Sequence, residues 1–562
     1  MNNNAKNFKS VLLLKVPFCP YPDTPKEKED FRAKSTFRPW PSLALAALCA
    51  FVDRYKTLDY KIKAIDVNIE GYSEPNVSID TSLYPELLAE SIKNNDYDVL
   101  AISATFIFDI KWVDMAVKLS RKYHPDAKII VGGGYPTIFP ERCLKGHAVD
   151  SVVIGEGEAA FMHILNRYNG HKDEDFEKRF PFEGYGYRHE DGRIEISPKG
   201  SNFLDLNDLP MPSWEYLNID KYLKNSGDRI LPIEGSRGCP YACTYCCSYM
   251  SWGRKVRYKS VDNLIKEMLD AKKRFSIKSA HFIDDNLSFS KERFSSFLKK
   301  FIETRLNLKI NISNFSVKHI DEELIDLMAE AGMDSVTIAV ESGSQEIRRR
   351  INKAVDLDYL RKMVKKIKSK GMKLQLTWMV GFPGETLEQI NSTFDLAREL
   401  NGHSLFSVVR VYPATKLFEE AHKAGYLTFD EDRLGEFDYQ RCNLSKSGEW
   451  DYKTLRKMVY DVNIEINFLN SYLFNYPKGS EKMREFLEDL ILKLPEHVMA
   501  HIILGYINKD AAAGENSYYK AACDLLKDRS LYETFGEYLL WGHPIVSDFN
   551  KYCKAMGVEA QE

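Results

Sequence analysis

Residues 237–247 read RGCPYACTYCC and place four cysteines within nine positions. Cys239, Cys243 and Cys246 form the pattern C-x3-C-x2-C, and Cys247 follows directly. Such tight spacing, in a chain without a recognisable secretory signal, favours metal or redox chemistry over a disulfide framework. Structural zinc takes four ligands, but the adjacent Cys246 and Cys247 are poorly arranged to share one tetrahedral ion. Three thiolates on a [4Fe–4S] cluster would instead leave one iron open for a small molecule.

The chain around and after these cysteines is predicted to form a partial barrel. An apolar strand directly precedes them, so the cysteines lie in the loop above a barrel strand, where such folds carry their chemistry. Five more strands alternate with amphipathic helices, which predicts six βα units without a seventh and an eighth. Strand patterns stop at about residue 430, and residues 452–545 are predicted to be mainly helical. The expected strands are 229–235, 278–283, 309–316, 335–340, 372–380 and 404–411.

An earlier βα series precedes the barrel. Its strands are apolar runs such as VLLLKV (11–16), typical of strands buried on both faces of a parallel sheet. The series predicts a doubly wound parallel sheet, which binds ligands at the carboxyl ends of its strands. SATF (103–106), GGGYP (132–136) and GEGE (155–158) lie at those ends, but none fits the dinucleotide motif G-x-G-x-x-G. The other expected strands are 61–67, 98–103, 128–133 and 150–155, with helices at 41–56, 83–95, 109–123 and 157–168.

Composition and charge narrow the classes of function. The 562 residues carry a formal net charge of −3, which does not suggest a nucleic-acid-binding protein. The longest apolar stretch, PSLALAALCAFV (41–52), is shorter than the roughly 20 residues that span a bilayer. The N-terminus has no signal-peptide pattern, so we expect a cytoplasmic protein without a membrane span. The other six cysteines are scattered singly and are expected to be reduced thiols: Cys19, Cys49, Cys143, Cys442, Cys523 and Cys553.

Together these motifs resemble the radical S-adenosylmethionine (SAM) superfamily, in the subgroup with an N-terminal cobalamin domain. In the barrel the resemblance rests on the cysteine segment and on HFIDDNLSF (281–289), GMDSVTIAVESGS (332–344), MVGFPGET (379–386) and RVYPATKLFEEAHKAGYL (410–427). In the first domain it rests on residues 103–141 and on VDSVVIGEGEAAF (149–161). It covers about residues 10–430, roughly three quarters of the chain.

The resemblance implies an architecture and a set of cofactors. It implies a Rossmann-like cobalamin-binding domain at 1–200 and a radical SAM partial (βα)6 TIM-like barrel at 228–430. Residues rich in Pro, Asn and Asp predict a linker at 201–227, and the end of the strand patterns predicts a helical C-terminal domain at 431–562. The implied cofactors are a [4Fe–4S] cluster, SAM and cobalamin. The implied partners are a small-molecule substrate and a reductant such as flavodoxin or ferredoxin.

Site residues are also implied by the resemblance. Cys239, Cys243 and Cys246 would hold the cluster, whose open iron would bind the amino and carboxylate groups of SAM. Carboxylates and a hydroxyl at strand ends would lie near SAM, with ordinary strand-end or turn residues as the alternative: Asp284 or Asp285, Glu341 and Ser342. Cobalamin would lie against Ser103, Thr105, Gly132, Gly133, Gly134, Tyr135, Gly155, Glu156 and Gly157.

For several other residues near the motifs, more than one role is consistent with the sequence. Cys247 is expected to be a small buried side chain, with a fourth cluster ligand or a hydrogen donor as alternatives. Arg257 and Lys259 would neutralise SAM or the cluster, or else be exposed basic residues. Tyr241 and Tyr245 are expected to pack the cluster loop. A turn that supports the adenine site, or a plain left-handed turn, is expected at Gly381, Pro383, Gly384 and Glu385.

The first domain departs from the wider cobalamin-binding pattern. No D-x-H-x-x-G motif is present, and the loop after the first strand reads KVPFCPYPDTPKEKEDF (15–31). The resemblance therefore implies cobalamin whose benzimidazole tail is off the metal. His147 is the nearest alternative cobalt ligand by sequence, although a surface-loop histidine is the expected role.

The resemblance implies a methyltransferase. Cleavage of SAM would give a 5′-deoxyadenosyl radical that removes hydrogen from an unactivated carbon, and the substrate radical would take the methyl group of methylcobalamin. Two alternatives stay open: a non-methylating cyclisation, ring contraction or oxidation, and a non-enzymatic zinc- or B12-binding regulatory module. No catalytic side chain is assigned. Aromatic residues of the helical region are expected to form its core, with an apolar ligand site as the alternative: Tyr460, Phe468, Tyr472, Phe474, Trp541 and Phe549.

Overall fold

The computed structural model has the predicted α/β architecture of a mostly parallel sheet, a partial barrel and a helical C-terminal part. His147, Cys19 and Cys442 lie outside the residues that it describes. Within the described residues, no helix has both the length and the apolar character that crossing a membrane requires. The described residues are 8–18, 40–71, 81–146, 148–198, 200, 203–226, 228–313, 315–427, 446–475, 479–508 and 516–555.

The first domain is built on five parallel strands, as predicted. They lie in the order β2-β1-β3-β4-β5, so the chain switches direction across the sheet between β1 and β3, where such sheets bind ligands. The strands are β1 (Ser10–Lys15), β2 (Lys61–Asp66), β3 (Val99–Ser103), β4 (Lys128–Gly132) and β5 (Ser151–Val153). The helices are Leu43–Tyr55, Val67–Glu70, Tyr84–Lys93, Ile110–Tyr123, Gly134–Ile138, Pro140–Gly146, Glu158–Tyr168 and Glu174–Arg179, with 3-10 turns at Thr81–Leu83 and Ile107–Asp109.

An antiparallel hairpin extends this sheet and was not predicted. The strands β6 (Tyr185–Arg188) and β7 (Ile194–Ser197) continue the sheet beyond β5. Gly192 lies in the turn between them with a φ of 83°. The sequence signal was an Asp-Gly pair between two short alternating segments, a pattern that favours hairpins.

The predicted linker contains ordered structure. It forms a 3-10 turn at Trp214–Tyr216 and a helix at Ile219–Asn225. Trp214 and Tyr222 are buried in the same hydrophobic core as the first domain, and Ser213 N–H donates to the carbonyl of Ala46 over 3.0 Å. The segment is therefore packed onto the first domain along its length.

The barrel has the six predicted strands, and they form two groups of three. One group has the order β12-β11-β8 and the other the order β13-β14-β15; a parallel bridge between Phe315 and Ile338 joins them. The six strands are β8 (Ile230–Ile233), β11 (Ser279–Phe282), β12 (Lys309–Ile312), β13 (Ser335–Glu341), β14 (Lys373–Val380) and β15 (His403–Val408). A short antiparallel pair, β9 (Ser236–Arg237) and β10 (Arg257–Tyr258), flanks the cysteine segment.

Successive side chains of each barrel strand point alternately into the barrel and toward the helices that cover its outside. Along β14, Leu374 and Leu376 are fully buried, whereas Thr377 and Met379 are half-buried and line the interior. The helices are Tyr249–Trp252, Val261–Phe275, Lys291–Thr304, Glu322–Glu330, Gln345–Arg350, Leu357–Ser369, Leu387–Leu400 and Lys416–Lys423, with 3-10 turns at Leu287–Phe289 and Val317–His319.

The C-terminal part is helical, as predicted, and has its own hydrophobic core. The six aromatic residues singled out in the sequence belong to this core or pack against it, which confirms their structural interpretation. The elements are β16 (Lys446–Ser447), β17 (Trp450–Asp451), the helices Tyr452–Asn463, Gly479–Lys493, Val498–Ile507, Ser517–Leu525, Arg529–Phe535 and Pro544–Ala555, a π-helix at Ile464–Leu469, and 3-10 turns at Tyr472–Asn475 and Gly536–Leu540.

The π-helix is joined to the last barrel strand by a side-chain amide. Asn467 Oδ1 accepts the N–H of Ser404 over 2.9 Å, and Asn467 Nδ2 donates to the Ser404 carbonyl over 2.6 Å. Both backbone groups of a residue on the outer edge of β15 are therefore satisfied without a further strand.

Two of the scattered cysteines meet in this C-terminal part. Cys523 and Cys553 are free thiols, as predicted, and their Sγ atoms lie 3.1 Å apart. They come from the helices Ser517–Leu525 and Pro544–Ala555, which pack against each other. Sequence spacing could not show this because the two residues are 30 positions apart.

Candidate functional site

A cavity of about 390 Å³ lies at the carboxyl ends of the barrel strands. Cys239, Cys243 and Cys246 line it from the loop after β8, as predicted. The other walls come from the loops and ends of the remaining barrel strands, so the cavity is the place where the six βα units converge. Those other lining residues are Tyr241, Tyr245, Ser248, Asp285, Asn286, Phe315, Ser316, Ala339, Glu341, Lys353, Thr377, Trp378, Met379 and Ser407.

The cysteine loop is held by backbone contacts with the rest of the barrel. Thr244 N–H donates to the Ile351 carbonyl over 3.2 Å, and the Thr244 carbonyl accepts the N–H of Leu417 over 3.0 Å. The Ala242 carbonyl accepts the side-chain amide of Asn352 over 3.0 Å. The loop thus keeps its shape without a regular helix or strand between the first and third cysteine.

The three thiols fit a [4Fe–4S] cluster better than a single ion. In the described part of the chain, no three His, Cys, Asp or Glu side chains converge closely enough to hold one metal ion. A cluster makes a different demand, because each thiolate binds its own iron. Burial raises the pKa of the Cys239 and Cys243 thiols, so metal binding would release their protons.

Cys247 does not face the cavity. It is absent from the described residues that line it, although both of its neighbours, Cys246 and Ser248, are present. Burial raises the pKa of Cys247 to about 11, which keeps it a neutral thiol. Cys247 is half-buried, so it is less buried than predicted, and its absence from the cavity lining disfavours a fourth cluster ligand.

Glu341 has a strained backbone and a side chain directed into the cavity. Its φ is 72°, in the left-handed region that non-glycine residues rarely adopt, and the register of β13 against β14 shifts just before it. Its Oε1 accepts the hydroxyl of Tyr245 over 3.0 Å and lies 3.5 Å from Lys353 Nζ. The bulge therefore turns a buried carboxylate toward the cysteine loop, and strain of this kind is typical of functional sites.

Two of the residues predicted to lie near SAM, Asp284 and Ser342, are not among the described residues that line the cavity. Asp284 is half-buried and accepts bonds from Gly235 N–H and the hydroxyl of Ser236, and desolvation raises its pKa to about 7. Its neighbour Asp285 lines the cavity instead. Ser342 is fully buried, and its hydroxyl lies 3.2 Å from that of Thr393. Both misplacements have one cause: successive side chains at a strand end face opposite sides.

Lys353 and Tyr245 contribute to the cavity in ways that the sequence did not reveal. Lys353 is the cationic side chain among the lining residues, and it follows the helix Gln345–Arg350 in an unremarkable stretch. Tyr245 was expected only to pack the loop, but it also binds Glu341. Tyr241 bonds to His319 across the cavity rim. The local sequence offered no signal for these long-range pairs.

The carboxyl edge of the first sheet presents the predicted glycine-rich surface. Ser103, Thr105, Gly132, Gly155 and Gly157 are at least partly accessible there. Gly133 adopts a φ of 110°, and a Cβ atom on it would lie 2.2 Å from the Ala104 carbonyl oxygen. The bare backbone at this edge suits a large, flat ligand such as a corrin. Tyr135 is fully buried and supports the edge from behind.

Glu156, Arg257 and Lys259 are engaged with protein partners. Glu156 Oε1 accepts from Arg257 Nη2 over 2.5 Å, and Lys259 Nζ pairs with Glu267 over 2.5 Å. These side chains are largely buried, so Glu156 does not present its carboxylate to cobalamin, and the two cations do not neutralise SAM or the cluster. The sequence could not show this because each pair joins distant elements.

The two candidate sites face each other across a domain boundary. The helix Gly134–Ile138, at the carboxyl edge of the first sheet, contacts the helix Tyr249–Trp252, which follows the cysteines. The cavity in the barrel and the glycine-rich edge are therefore neighbours.

The loop after β14 is held in shape by hydrogen bonds from its backbone to the side chain of Glu385. Glu385 Oε2 accepts the N–H groups of Gly381 over 2.6 Å and Phe382 over 3.0 Å, and Arg350 bonds to the Pro383 carbonyl. None of the predicted turn residues in this loop is among the described residues that line the cavity. This arrangement favours the interpretation as a structural turn.

Glu385 should make stability fall as pH rises. Burial raises its pKa from 4.5 to about 7, so the native state binds more protons than the unfolded state between those values. Stabilisation is full below about pH 4.5 and is lost as pH rises through about 7, at up to about 1.4 kcal/mol per pH unit. We expect Glu385→Gln to flatten this slope in urea unfolding curves recorded from pH 5 to 8. Glu388→Gln, at an exposed site in the first turn of the helix that follows this loop, should leave the slope unchanged.

Two family models match the chain. The model of the radical SAM superfamily matches residues 233–397, and the model of the B12 binding domain matches residues 37–165. These ranges contain the cysteine loop and the glycine-rich edge, respectively. The chain belongs to the radical SAM superfamily, among the members that carry a B12 binding domain. It is therefore an enzyme that uses a [4Fe–4S] cluster, SAM and cobalamin, and the regulatory-module alternative is set aside.

Curated relatives cover most of the chain. Cytidylyl-2-hydroxyethylphosphonate methyltransferase from Streptomyces wedmorensis is 28% identical over 468 residues, which is 76% of this chain and 86% of the relative. Anaerobic magnesium-protoporphyrin IX monomethyl ester cyclase from Rubrivivax gelatinosus is 23% identical over 380 residues, 66% of each chain. The relatives thus include both methylating and ring-closing enzymes.

A solved structure shares the whole fold. The cobalamin-dependent SAM radical enzyme OxsB, solved with aqua-cobalamin and SAM bound, superposes with a TM-score of 0.62 at 14% identity. The match covers 98% of this chain and 84% of OxsB. It supports the arrangement of the sheet, the barrel and the helical part.

Proposed function

We propose that this enzyme methylates an unactivated carbon of a small-molecule or natural-product intermediate. The proposal rests on the proximity of the two candidate sites. Three thiols line the barrel cavity, and the helix after them contacts the carboxyl edge of the B12 binding domain. The similarity to a phosphonate methyltransferase over three quarters of the chain supports methyl transfer as the outcome.

The cofactors, when bound, supply the electron, the 5′-deoxyadenosyl radical and the methyl group. The side chains of the protein bind these cofactors and orient them. Cys239, Cys243 and Cys246 would hold the cluster. Glu341, held by Tyr245 and next to Lys353, places opposite charges near the cysteines, which suits the amino and carboxylate groups of SAM.

The electron would come from a flavodoxin or ferredoxin. Ala242, which lies next to Cys243, is exposed, so the loop reaches the protein surface beside a cluster ligand. Arg254 and Lys318 are exposed there as well: Arg254 bonds to the Tyr241 carbonyl, and Lys318 Nζ lies 5.9 Å from the centroid of the Tyr241 ring. These cations would favour an acidic donor.

The test is an anaerobic reaction of the reconstituted enzyme. We would add iron, sulfide, hydroxocobalamin, SAM and a strong reductant, with a panel of candidate substrates, and follow products by mass spectrometry. Methylation predicts that 5′-deoxyadenosine and S-adenosylhomocysteine rise together, and that the substrate gains the mass of one methylene group. A turnover that forms deoxyadenosine and modifies the substrate without that gain would contradict it.

A second candidate is a cyclisation, ring contraction or oxidation without methyl transfer. The similarity to a ring-closing cyclase over 66% of the chain favours keeping it. It predicts deoxyadenosine formation without S-adenosylhomocysteine, and a product mass that is unchanged or lowered by hydrogen loss.

Replacing Glu341 should weaken SAM binding. In Glu341→Gln the hydrogen bond from Tyr245 is kept, but the charge facing Lys353 is lost. We expect the affinity for SAM to fall about tenfold to a hundredfold, in line with the 1.5–3 kcal/mol of a hydrogen bond to a charged group. Equilibrium dialysis with the cluster-loaded protein measures it.

The matched control is Glu346→Gln, five residues along and exposed. It should bind SAM like the unmodified enzyme. Equal losses in the two variants would mean that Glu341 does not contact SAM.

A further inference from the structure

A buried group of charges joins the B12 binding domain to the segment just before the cysteines. Arg237 lies in β9, two residues before Cys239. Its Nη2 donates to Glu158 Oε1 over 2.7 Å, and its Nη1 lies 3.4 Å from Glu156 Oε1. Glu156 and Glu158 belong to the GEGE segment of the first domain, so one guanidinium group spans the domain boundary.

The side chains of this group are largely buried. The side chains of Arg237, Glu156 and Glu158 are only 4%, 8% and 6% exposed. Arg237 Nε also donates to Glu234 Oε2 over 2.9 Å, and Arg257 adds a second cation on Glu156. A buried charge is costly without its partners, so these bonds constrain the geometry more than surface ion pairs would.

Arg237 also contacts the second bridge between the domains. Its guanidinium carbon lies 4.8 Å from the ring centroid of Trp252. Trp252 ends the helix Tyr249–Trp252, which contacts the helix Gly134–Ile138 at the glycine-rich edge. One side chain therefore connects the loop before the cysteines, the helix after them and the first domain.

We propose that Arg237 is a positioning residue that fixes the cysteine loop relative to the B12 binding domain and so couples radical formation to use of the cobalamin. The inference rests on the proposed function, because coupling matters when a substrate radical must meet its methyl donor before it is quenched. Small displacements of reacting groups, of about 1 Å, cost roughly a hundredfold in rate. The planar guanidinium group of Arg237 presents several N–H donors to different carboxylates at once, and the ammonium group of a lysine cannot reproduce this arrangement.

The decisive variant is Arg237→Lys, with Arg293→Lys as its matched control. Arg293 is a half-buried arginine near the same strand, but its Nη2 donates to the carbonyls of Gly235 and Lys259, both within the barrel. Thermal unfolding of the apoproteins, iron content and corrinoid content would be measured first, so that folding and loading are known.

Two readouts then test the coupling. The first is the ratio of methylated product to 5′-deoxyadenosine, which we expect to fall at least about tenfold in Arg237→Lys and not in Arg293→Lys. The second needs no turnover: the magnetic interaction between cob(II)alamin and the reduced cluster, seen by electron paramagnetic resonance, should weaken or broaden only in Arg237→Lys.

The outcomes separate the inference from the proposed function. An unchanged ratio and an unchanged magnetic interaction in fully loaded Arg237→Lys would overturn the inference, and so would equal effects in Arg293→Lys. If the unmodified enzyme forms no methylated product, the proposed function fails, and the magnetic readout still decides the inference. If Arg237→Lys does not fold, Glu158→Gln weakens the same bridge from the other domain and should show the same two effects.

Discussion

Changing Cys239, Cys243 and Cys246 together to alanine should abolish SAM cleavage. The three thiols line the barrel cavity, and a [4Fe–4S] cluster with one open iron takes three protein thiolates. We expect the reconstituted protein to lose its content of about four irons per chain and its visible absorption. Formation of 5′-deoxyadenosine should fall below detection. Corrinoid binding should persist because the glycine-rich edge belongs to the other domain.

The matched control for this prediction is Cys247→Ala. Cys247 directly follows a predicted ligand but does not line the cavity, so this variant should keep iron, colour and SAM cleavage. Loss of the cluster in Cys247→Ala, or SAM cleavage in the triple variant, would refute the assignment of the ligands.

The second large effect is expected from Gly133→Ala. Its φ of 110° is unfavourable for any side chain, and the added Cβ would lie 2.2 Å from the Ala104 carbonyl oxygen. Strained backbone costs about 1–3 kcal/mol per residue, and the backbone clash forces the turn after β4 to move as well. We expect corrinoid binding to be lost, as measured by absorption after gel filtration, while cluster content and SAM cleavage remain.

The matched control is Gly192→Ala, which introduces backbone strain at a positive φ without a steric clash of the new Cβ atom. Gly192 also has a positive φ, of 83°, but a Cβ atom there meets nothing within 4 Å. This variant should lose some stability and keep its corrinoid. Native corrinoid content in Gly133→Ala would show that the turn at β4 does not shape the cobalamin site.

Much of the fold could be predicted because each element depends on local patterns. The buried strands β1 and β3 are apolar runs, and the helix Leu387–Leu400 begins with a capping box of Thr386 and Gln389. The cysteine loop could be predicted too, since its ligands lie within eight residues of one another. These features require no knowledge of distant contacts.

The rest depended on tertiary contacts. Whether Asp284 or Asp285 faces the cavity is decided by which side of β11 packs against helices, and adjacent residues differ in this. Glu156 and Arg257 are 101 residues apart, so their ion pair has no local signature. The same holds for Glu341 and Lys353, where a backbone bulge brings the charges together.

The amide of Asn467 has a consequence for how the domains depend on one another. By imitating a neighbouring strand, it covers the N–H and C=O of Ser404, which would otherwise lie at a free sheet edge. Free edges invite pairing with the sheets of other molecules. A fragment that stopped before residue 446 would keep both cofactor domains but leave this edge open to self-association. We therefore expect the C-terminal helices to reduce aggregation by covering this edge, whether or not they also bind substrate.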